Sequence, residues 1–272
     1  MLRNIYIVSL LLLMSGMSAF AKDKTLIRGN FANSGNYQLI YLYKYFGSEL
    51  VKVDSSKLSK GNLKFANIYQ RGFYKLGFSV NKAIVMVIGD EAEITVTADC
   101  NNFPNSAKIT GSIENKLFND FTSRNAIYAQ AIKQLSQQTA QIDALRRTDT
   151  LRYKEILTSL RIKEDSILSN QNEFFKRLYT ENKGTFMSKF AAMFVMTDTT
   201  NVMNYFSNAE FTDEEYTAGE MLVGKINSFF TNFVPKDAQS FNEAAGYLLS
   251  KPAKASPTKE LFYKSKNIRR VS

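Results

Sequence analysis

The residue types that carry out most enzyme chemistry are scarce in this sequence. Its 272 residues include no histidine and only one cysteine, Cys100. Without histidine, the chain has no Ser–His or Cys–His nucleophile pair and no histidine-ligated zinc site. With one cysteine, it has neither a Cys-x-x-Cys redox centre nor an intramolecular disulfide. We therefore predict that the protein is not an enzyme, and that it has no catalytic residue, metal site or cofactor.

Cys100 is the one candidate thiol, and it lies at the end of a predicted strand. A reactive thiol needs a lowered pKa, and no lysine or arginine stands beside Cys100 in the sequence to supply it. We expect Cys100 to be a small, semi-buried apolar side chain. A reactive or intermolecular role is the alternative.

Two further patterns have the form of catalytic motifs. Ser79 with Lys82, and Ser256 with Lys259, show the Ser-x-x-Lys spacing of serine acyl-enzymes. The first pair lies at a strand end and the second straddles a proline, so neither predicts a lysine beside the serine on a helix. Four acidic residues also cluster, mostly in the expected first turn of a helix, where acids stabilise the dipole: Asp213, Glu214, Glu215 and Glu220. We interpret both patterns as structural.

Three tyrosines alternate along one predicted strand, at Tyr41, Tyr43 and Tyr45, with Lys44 between the last two. Alternate residues of a strand point to the same face, so these rings could form one aromatic surface. Such a surface stacks on flat ligands such as sugars or bases. Tyrosine is also an ordinary strand residue, and a purely structural role is the alternative.

The tyrosines belong to a series of short strands that runs from about Thr25 to Thr110. Branched and aromatic runs are separated there by turn residues, and no helical pattern intervenes. Gly47-Ser48, between two such runs, is typical of a two-residue hairpin. We predict an α+β protein that begins with an antiparallel β-sandwich-like domain over residues 22–112.

Apolar residues recur at helical spacing after Ser112, which is placed to cap the first helix. Two stripes, interrupted at Thr148-Asp149-Thr150, predict two long helices folded into an antiparallel hairpin. A parallel coiled-coil homodimer through the long helices is the alternative. The buried apolar segment 186–196 and further helical patterns complete an all-helical domain over residues 113–250. The basic stretch 251–272 is interpreted either as a frayed tail or as the point at which a longer protein is truncated.

The N-terminus has the pattern of a secretory signal peptide over residues 1–21. Arg3 precedes an apolar run, Ile5–Met14, and the small-x-small site Ala19-Phe20-Ala21 follows. We predict cleavage before Lys22; a lipoprotein signal would need cysteine at that position. The mature protein is then expected to be soluble and periplasmic or envelope-associated, with no membrane span. An uncleaved N-terminal anchor is the alternative.

The formal net charge of the chain is +10. In an exported protein, excess positive charge suits the anionic surfaces of the cell envelope better than it suits nucleic acid. We therefore expect the partner to be an envelope protein or a glycan, and no nucleic acid.

A set of short segments follows one another in a recognisable order within the β stretch: Ile27-Arg28-Gly29-Asn30-Phe31, Leu39-Ile40-Tyr41-Leu42-Tyr43, Glu49-Leu50-Val51-Lys52-Val53-Asp54-Ser55, Gly61 with Leu63 and Phe65, Gly72-Phe73-Tyr74-Lys75-Leu76, Gly89-Asp90-Glu91 with Ile94-Thr95-Val96, and Ile109-Thr110-Gly111-Ser112-Ile113-Glu114-Asn115. In this order and spacing, the stretch resembles the uncharacterised N-terminal domain that precedes thioredoxin-like domains in many exported bacterial proteins, often thiol-disulfide oxidoreductases. The helical part is similar in style to the helical linker that those proteins carry next.

In the family that the chain resembles, the redox chemistry resides in a thioredoxin-like domain with a Trp-Cys-x-x-Cys motif. This sequence has no tryptophan and a single cysteine, so the resemblance implies no redox residue here. It implies the fold of the first domain, an envelope location and an accessory role.

Together these observations predict a non-catalytic exported envelope protein, used for binding or scaffolding near a thiol-disulfide system. One alternative is a truncated oxidoreductase that lacks its redox domain. The other is a glycan- or surface-binding envelope protein that uses its aromatic strands and its net positive charge.

Overall fold

The structure is a computed structural model that describes residues 24–196, 205–206, 215, 220–232, 234–251 and 258–260. Its first part consists of eight β-strands. Their bounds are β1 Thr25–Ala32, β2 Leu39–Phe46, β3 Glu49–Lys57, β4 Asn62–Asn67, β5 Gly72–Gly77, β6 Ala83–Ile88, β7 Glu93–Asp99 and β8 Lys108–Thr110. A single turn of 3-10 helix, Cys100–Asn102, follows β7.

The strands form two four-stranded sheets, in the order β4-β1-β7-β8 (sheet A) and β3-β2-β5-β6 (sheet B). Alternate side chains from each sheet point inwards and are buried against one another, among them Ile27, Phe31, Ile40, Leu42 and Ile94. This is the packing of a β-sandwich, in which the two inner faces interdigitate. The predicted α+β class and sandwich-like first domain are confirmed.

The β2–β3 hairpin turns at Gly47-Ser48, as predicted, and Gly47 has a φ of 56°. A positive φ of this kind costs glycine little, because glycine has no Cβ to clash. One pairing departs from the antiparallel expectation, since β1 and β7 run parallel in sheet A. Between β1 and β7 the chain passes through sheet B twice and adds β4 antiparallel on the other side of β1. It then returns to sheet A for β7 in the same direction as β1, which a parallel neighbour requires.

The second part of the chain is helical. Its helices are α1 Ile113–Gln141, the short α2 Leu145–Thr148, α3 Thr150–Glu181, α4 Phe186–Ala192, α5 Glu220–Asn232 and α6 Ala238–Ser250. Ser112 caps α1, because its side chain accepts a hydrogen bond from the Asn115 amide, as predicted. The apolar segment 186–196 contributes a helix of only seven residues, α4, followed by a turn.

Helices α1 and α3 form the predicted antiparallel hairpin within one chain. The rings of Phe121 and Phe175 stack at 5.4 Å, and Gln171 Nε2 donates to Asn125 Oδ1 at 3.0 Å. The helices reverse direction around Asp149, whose side chain caps α3 by accepting from the Arg152 amide. The apolar stripes of the two helices face each other within the same chain, and a homodimer through the long helices stays a prediction.

A second hydrophobic core joins the two parts of the molecule. It combines residues from the outer face of sheet B with aromatic residues of the helices, and it extends to α5 and α6. Phe73 of β5 lies at its centre, with ring centroids 5.2 Å from Phe186 and 5.0 Å from Phe190. The helical part is therefore packed on the sandwich, and the two parts share buried surface.

Some of the predictions fall outside the described residues. These are the signal peptide with its cleavage site at Ala19, Ala21 and Lys22, the acidic pair Asp213 and Glu214, and most of the basic stretch 251–272. Within the part of the chain that is described, no helix is both long enough and apolar enough to cross a membrane.

Candidate binding face

The outer face of sheet B is only half covered by the helices. Along β2, Ile40 and Leu42 point into the sandwich and are fully buried, while Tyr41 and Tyr43 point outwards and are half-buried. The β2–β3 pairing shifts register between Leu42 and Tyr43, and such a bulge locally increases the twist of the strand. Both tyrosines remain partly open to solvent.

The prediction that Tyr41, Tyr43 and Tyr45 form one exposed aromatic face is wrong for Tyr45. It lies on the same side of β2 but is 8% exposed, and it belongs to the core shared with the helices. The helical part covers this end of the strand, so Tyr45 acts as packing. The candidate face is reduced to Tyr41 and Tyr43.

Two lysines complete this surface, and sequence reasoning missed both. Tyr43 pairs with Lys52 on β3 and with Lys75 on β5, which places both lysines on the same side of the sheet as the ring. The Lys52 ammonium lies 5.4 Å from the centre of the Tyr41 ring, and the two tyrosine rings are 6.1 Å apart. We call Tyr41, Tyr43, Lys52 and Lys75 the tyrosine–lysine face. Its signal in the sequence was a lysine near the middle of each strand next to β2.

A buried ion cluster holds the helices beside this face, and sequence reasoning missed it as well. At the start of β5, the Arg71 side chain is 15% exposed, and its Nη2 donates to the Gly184 carbonyl at 2.7 Å. The same guanidinium lies 3.8 Å from Glu114 Oε1 and 3.6 Å from carboxylate oxygens of Asp90 and Glu215. One arginine therefore connects the sandwich, α1, and the segment before α4.

Glu114 lies in the first turn of α1, and it caps a different helix. Its two carboxylate oxygens accept hydrogen bonds from the amides of Phe186 at 2.6 Å and Met187 at 2.8 Å, at the start of α4. Glu114 is only 2% exposed. Burial raises the pKa of its carboxyl, while the two amide donors and Arg71 oppose that rise.

Asn115 ties α1 to the edge of sheet B. Its side-chain amide donates to the Val87 carbonyl at 2.7 Å, and its Oδ1 accepts from the Val87 amide at 2.9 Å. These bonds satisfy backbone groups of the edge strand β6 that have no strand neighbour on that side. A single asparagine in the first turn of α1 therefore fixes how the helix sits on the sheet.

The Cys100 thiol is buried, at 1% exposure, in the core between the sheets. Burial raises its pKa, and the nearby Asp99 carboxylate adds to that rise. A thiol with a raised pKa and no exposure is a poor nucleophile. This placement is deeper than the semi-buried position expected from the sequence.

The other sequence patterns do not assemble a catalytic group in the described residues. The Lys82 ammonium donates to the Tyr37 hydroxyl at 2.5 Å, and the Ser79 hydroxyl accepts from the Lys82 backbone amide at 3.2 Å. Ser256 of the second Ser-x-x-Lys pair lies outside the described residues. Glu215 is paired with Arg71 and with Lys189, whose ammonium is 2.9 Å away. No group of three potential metal ligands is found in this part of the chain.

Lys225 is a buried cation that no sequence pattern indicated. It is 7% exposed, on α5. Its ammonium lies 4.8 Å from the centre of the Tyr205 ring, 5.5 Å from Phe194 and 5.6 Å from Phe206. Burial lowers its pKa to about 7, because a charged amine is disfavoured away from water. The three ring faces offset part of that cost.

Comparison with known proteins adds one match. No curated protein and no solved structure matches the chain. Residues 25–118, which comprise the β-sandwich and the first turns of α1 with Glu114 and Asn115, match the family described as "Domain of unknown function (DUF4369)".

Proposed function

We propose that this chain is a non-catalytic, exported protein of the cell envelope that binds a ligand on its tyrosine–lysine face. The observation that carries the proposal is the placement of two half-exposed tyrosines with Lys52 and Lys75 on one rigid sheet surface. The signal-peptide pattern of residues 1–21 supports export.

The chemistry of the face favours a sugar polymer that carries acidic groups. Tyrosine rings offer a flat apolar surface with a hydroxyl at one end, which suits the apolar faces and hydroxyls of a sugar ring. The ammonium groups of Lys52 and Lys75 can pair with carboxylates or phosphates on that polymer. The net charge, +10 for the full chain and +9 once residues 1–21 with Arg3 are removed, adds a long-range attraction to such a ligand.

Binding to a panel of neutral and acidic glycans at low salt tests this proposal. The purified protein should bind acidic members, and the binding should weaken as salt is added, because charge pairing contributes to it. The double variant Tyr41→Ala, Tyr43→Ala should lose binding. The matched control is Tyr153→Ala, which removes a half-buried tyrosine from α3. Absence of any binding to the panel would contradict the proposal.

The accessory role beside a thiol-disulfide system rests on the resemblance of the β stretch to domains that precede thioredoxin-like domains. The buried Cys100 supports a role without redox turnover. Insulin reduction by the purified protein tests this part of the proposal. Measurable activity that disappears in Cys100→Ser would overturn it, whereas we expect both proteins to be inactive.

A second candidate ligand is the extended chain of a partner protein, which the edge strand β3 favours. Val51 and Val53 of this strand are 53% and 41% exposed. An unpaired edge with exposed apolar side chains can accept an added strand from another protein. Val51→Ser with Val53→Ser should weaken such a partner while leaving the charge of the tyrosine–lysine face, and so glycan binding, unchanged. Isothermal titration with each ligand class separates the two candidates.

A further inference from the structure

The long hairpin of α1 and α3 leaves apolar side chains uncovered. Ile127 on α1 is 58% exposed and Ile162 on α3 is 64% exposed. A groove of about 470 Å³ lies between the helices. Its α1 side is uncharged and includes Ala131, Gln134, Leu135 and Gln138, while its α3 side includes Ile162 and the charged Lys163. Two helices alone cannot bury both sides of their apolar stripes, and helical bundles solve this by adding further helices.

The exposed surface of the second half of α1 is unusual because it is almost uncharged. Between Arg124 and Asp143, Lys133 is the only charged residue, and alanine, glutamine and serine make up most of the rest. The facing helix is different, since residues 151–168 of α3 include seven charged residues. Charged residues are depleted at the centres of protein interfaces, so α1 offers the surface suited to packing.

We infer that this surface of α1 packs against the same surface of a second copy of the chain. The chain carries a net charge of +10, so two copies repel each other wherever their surfaces share the overall excess of positive charge. The neutral surface of α1 is where two copies can meet without that repulsion. A two-fold interface also requires a patch that complements itself.

The spacing of residues on α1 provides that self-complementarity. Ile127, Ala131, Gln134 and Gln138 follow one another at steps of three and four residues, so they lie on one side of the helix. If the two-fold axis passes beside Ala131, Ile127 of one copy reaches the groove beside Gln134 and Leu135 of the other. The small side chain of Ala131 lets the two helices cross closely at the axis.

Sedimentation equilibrium of the purified protein tests the inference. We expect the wild type to dimerise and Ile127→Glu to weaken the dimer by at least about tenfold, as for a central interface residue. Ile68→Glu is the matched control, because Ile68 is 59% exposed on a loop of the sandwich. It should leave the dimer unchanged. A wild type that stays monomeric to concentrations on the order of 100 µM would overturn the inference.

Disulfide trapping gives a second and independent test. Ala131→Cys places a thiol beside the proposed axis, where the two copies should cross-link under mild oxidation, while the native Cys100 is buried and should not react. The control is Ser169→Cys, an exposed position on α3, nine residues after the buried Leu160. Equal cross-linking of both variants would overturn the inference as well, because random collisions would explain it.

Discussion

Single residues hold the two parts of the molecule together, and Arg71 is the clearest case. Its guanidinium contacts the Gly184 carbonyl and three carboxylates from different segments. Glu114, one of those carboxylates, is buried and caps α4. Removal of the arginine would leave this buried charge without its cation, which is far more costly than the loss of a surface pair.

Arg71→Ala should therefore lower the free energy of unfolding by about 3 kcal/mol or more. The comparison is Arg28→Ala, which removes an exposed pair with Glu93 whose side chains are 55% and 48% accessible. That variant should lose less than about 1 kcal/mol. Urea denaturation of both variants makes the measurement. Equal losses would show that the Arg71 cluster contributes no more than a surface ion pair.

Lys225 should make the stability depend on pH. Its pKa is about 7 in the folded protein, against about 10.4 in an unfolded chain. Between these values the unfolded chain binds more protons, so stability should rise as the pH rises from 7 towards about 9.5. Lys225→Met should be more stable than the wild type near pH 7, and the difference should shrink at the higher pH.

Thermal denaturation over this pH range checks the Lys225 prediction. Lys176→Met is the control, since Lys176 is 57% exposed, and its stability should follow the wild-type curve. If Lys225→Met and the wild type ran parallel at every pH, the buried amine would not titrate in this window.

The roles of individual side chains were the hardest features to predict from the sequence. The low reactivity predicted for Cys100 follows from its neighbours in the chain, and its burial is consistent with that prediction. The roles of Arg71, Glu114 and Lys225 depend on segments that are far away in sequence, such as the start of α4. No local spacing indicates which distant helix a carboxylate will cap, because that choice is made by packing.

At the scale of elements, the turn at Gly61 aligns two strands of the sandwich. The Phe31 amide of β1 donates to the Gly61 carbonyl at 2.7 Å. Gly61 has a φ of +81°, and a Cβ there would lie 2.4 Å from the Phe31 carbonyl oxygen. Both the backbone conformation and the close approach exclude a larger residue.

Gly61→Ala should cost roughly 2 kcal/mol or more, because the added methyl group forces the turn away from β1. Gly35→Ala is the control, since nothing lies within 4 Å of a Cβ at that position. It should change stability by less than about 0.5 kcal/mol. Chemical denaturation distinguishes the two, and a neutral Gly61→Ala would mean that the turn adapts without strain.

The strands, the helices and the turns between them were the features that could best be predicted from the sequence. The hairpin at Gly47, the cap at Ser112 and the reversal at Asp149 all follow from local chemistry, and each is observed. The parallel pairing of β1 with β7 was missed, because strand order depends on contacts between distant segments. Tyr45 was misassigned for a related reason, since strand alternation does not show which end of a face a helix will cover.

At the scale of the whole molecule, the sandwich and the helices share a core, so they should unfold together. Phe73 contacts Phe186 and Phe190 across the boundary and is 4% exposed. A core that spans both parts couples their stabilities. The domain boundary predicted from the sequence at residue 112 gives no indication of this shared core.

Phe73→Ala should lower stability by about 3–5 kcal/mol, and sandwich and helices should lose structure in one transition. Far-UV circular dichroism follows the helices, and near-UV dichroism follows the packing of the tyrosines. Ile68→Ala, at a 59% exposed position, is the control and should have little effect. Two separate transitions in the wild type would show that the parts fold independently.

The length of α1 has a consequence for how two copies would engage a polymer. Eighteen residues separate Ile113 from Ala131 on this helix, and at about 1.5 Å per residue they set each sandwich some 27 Å from the proposed axis. The dimer would then present two sandwiches on one stiff spacer, roughly 50 Å apart. A repeating chain long enough to reach both would be held by avidity, while short fragments of the same chain would bind at one end and leave quickly.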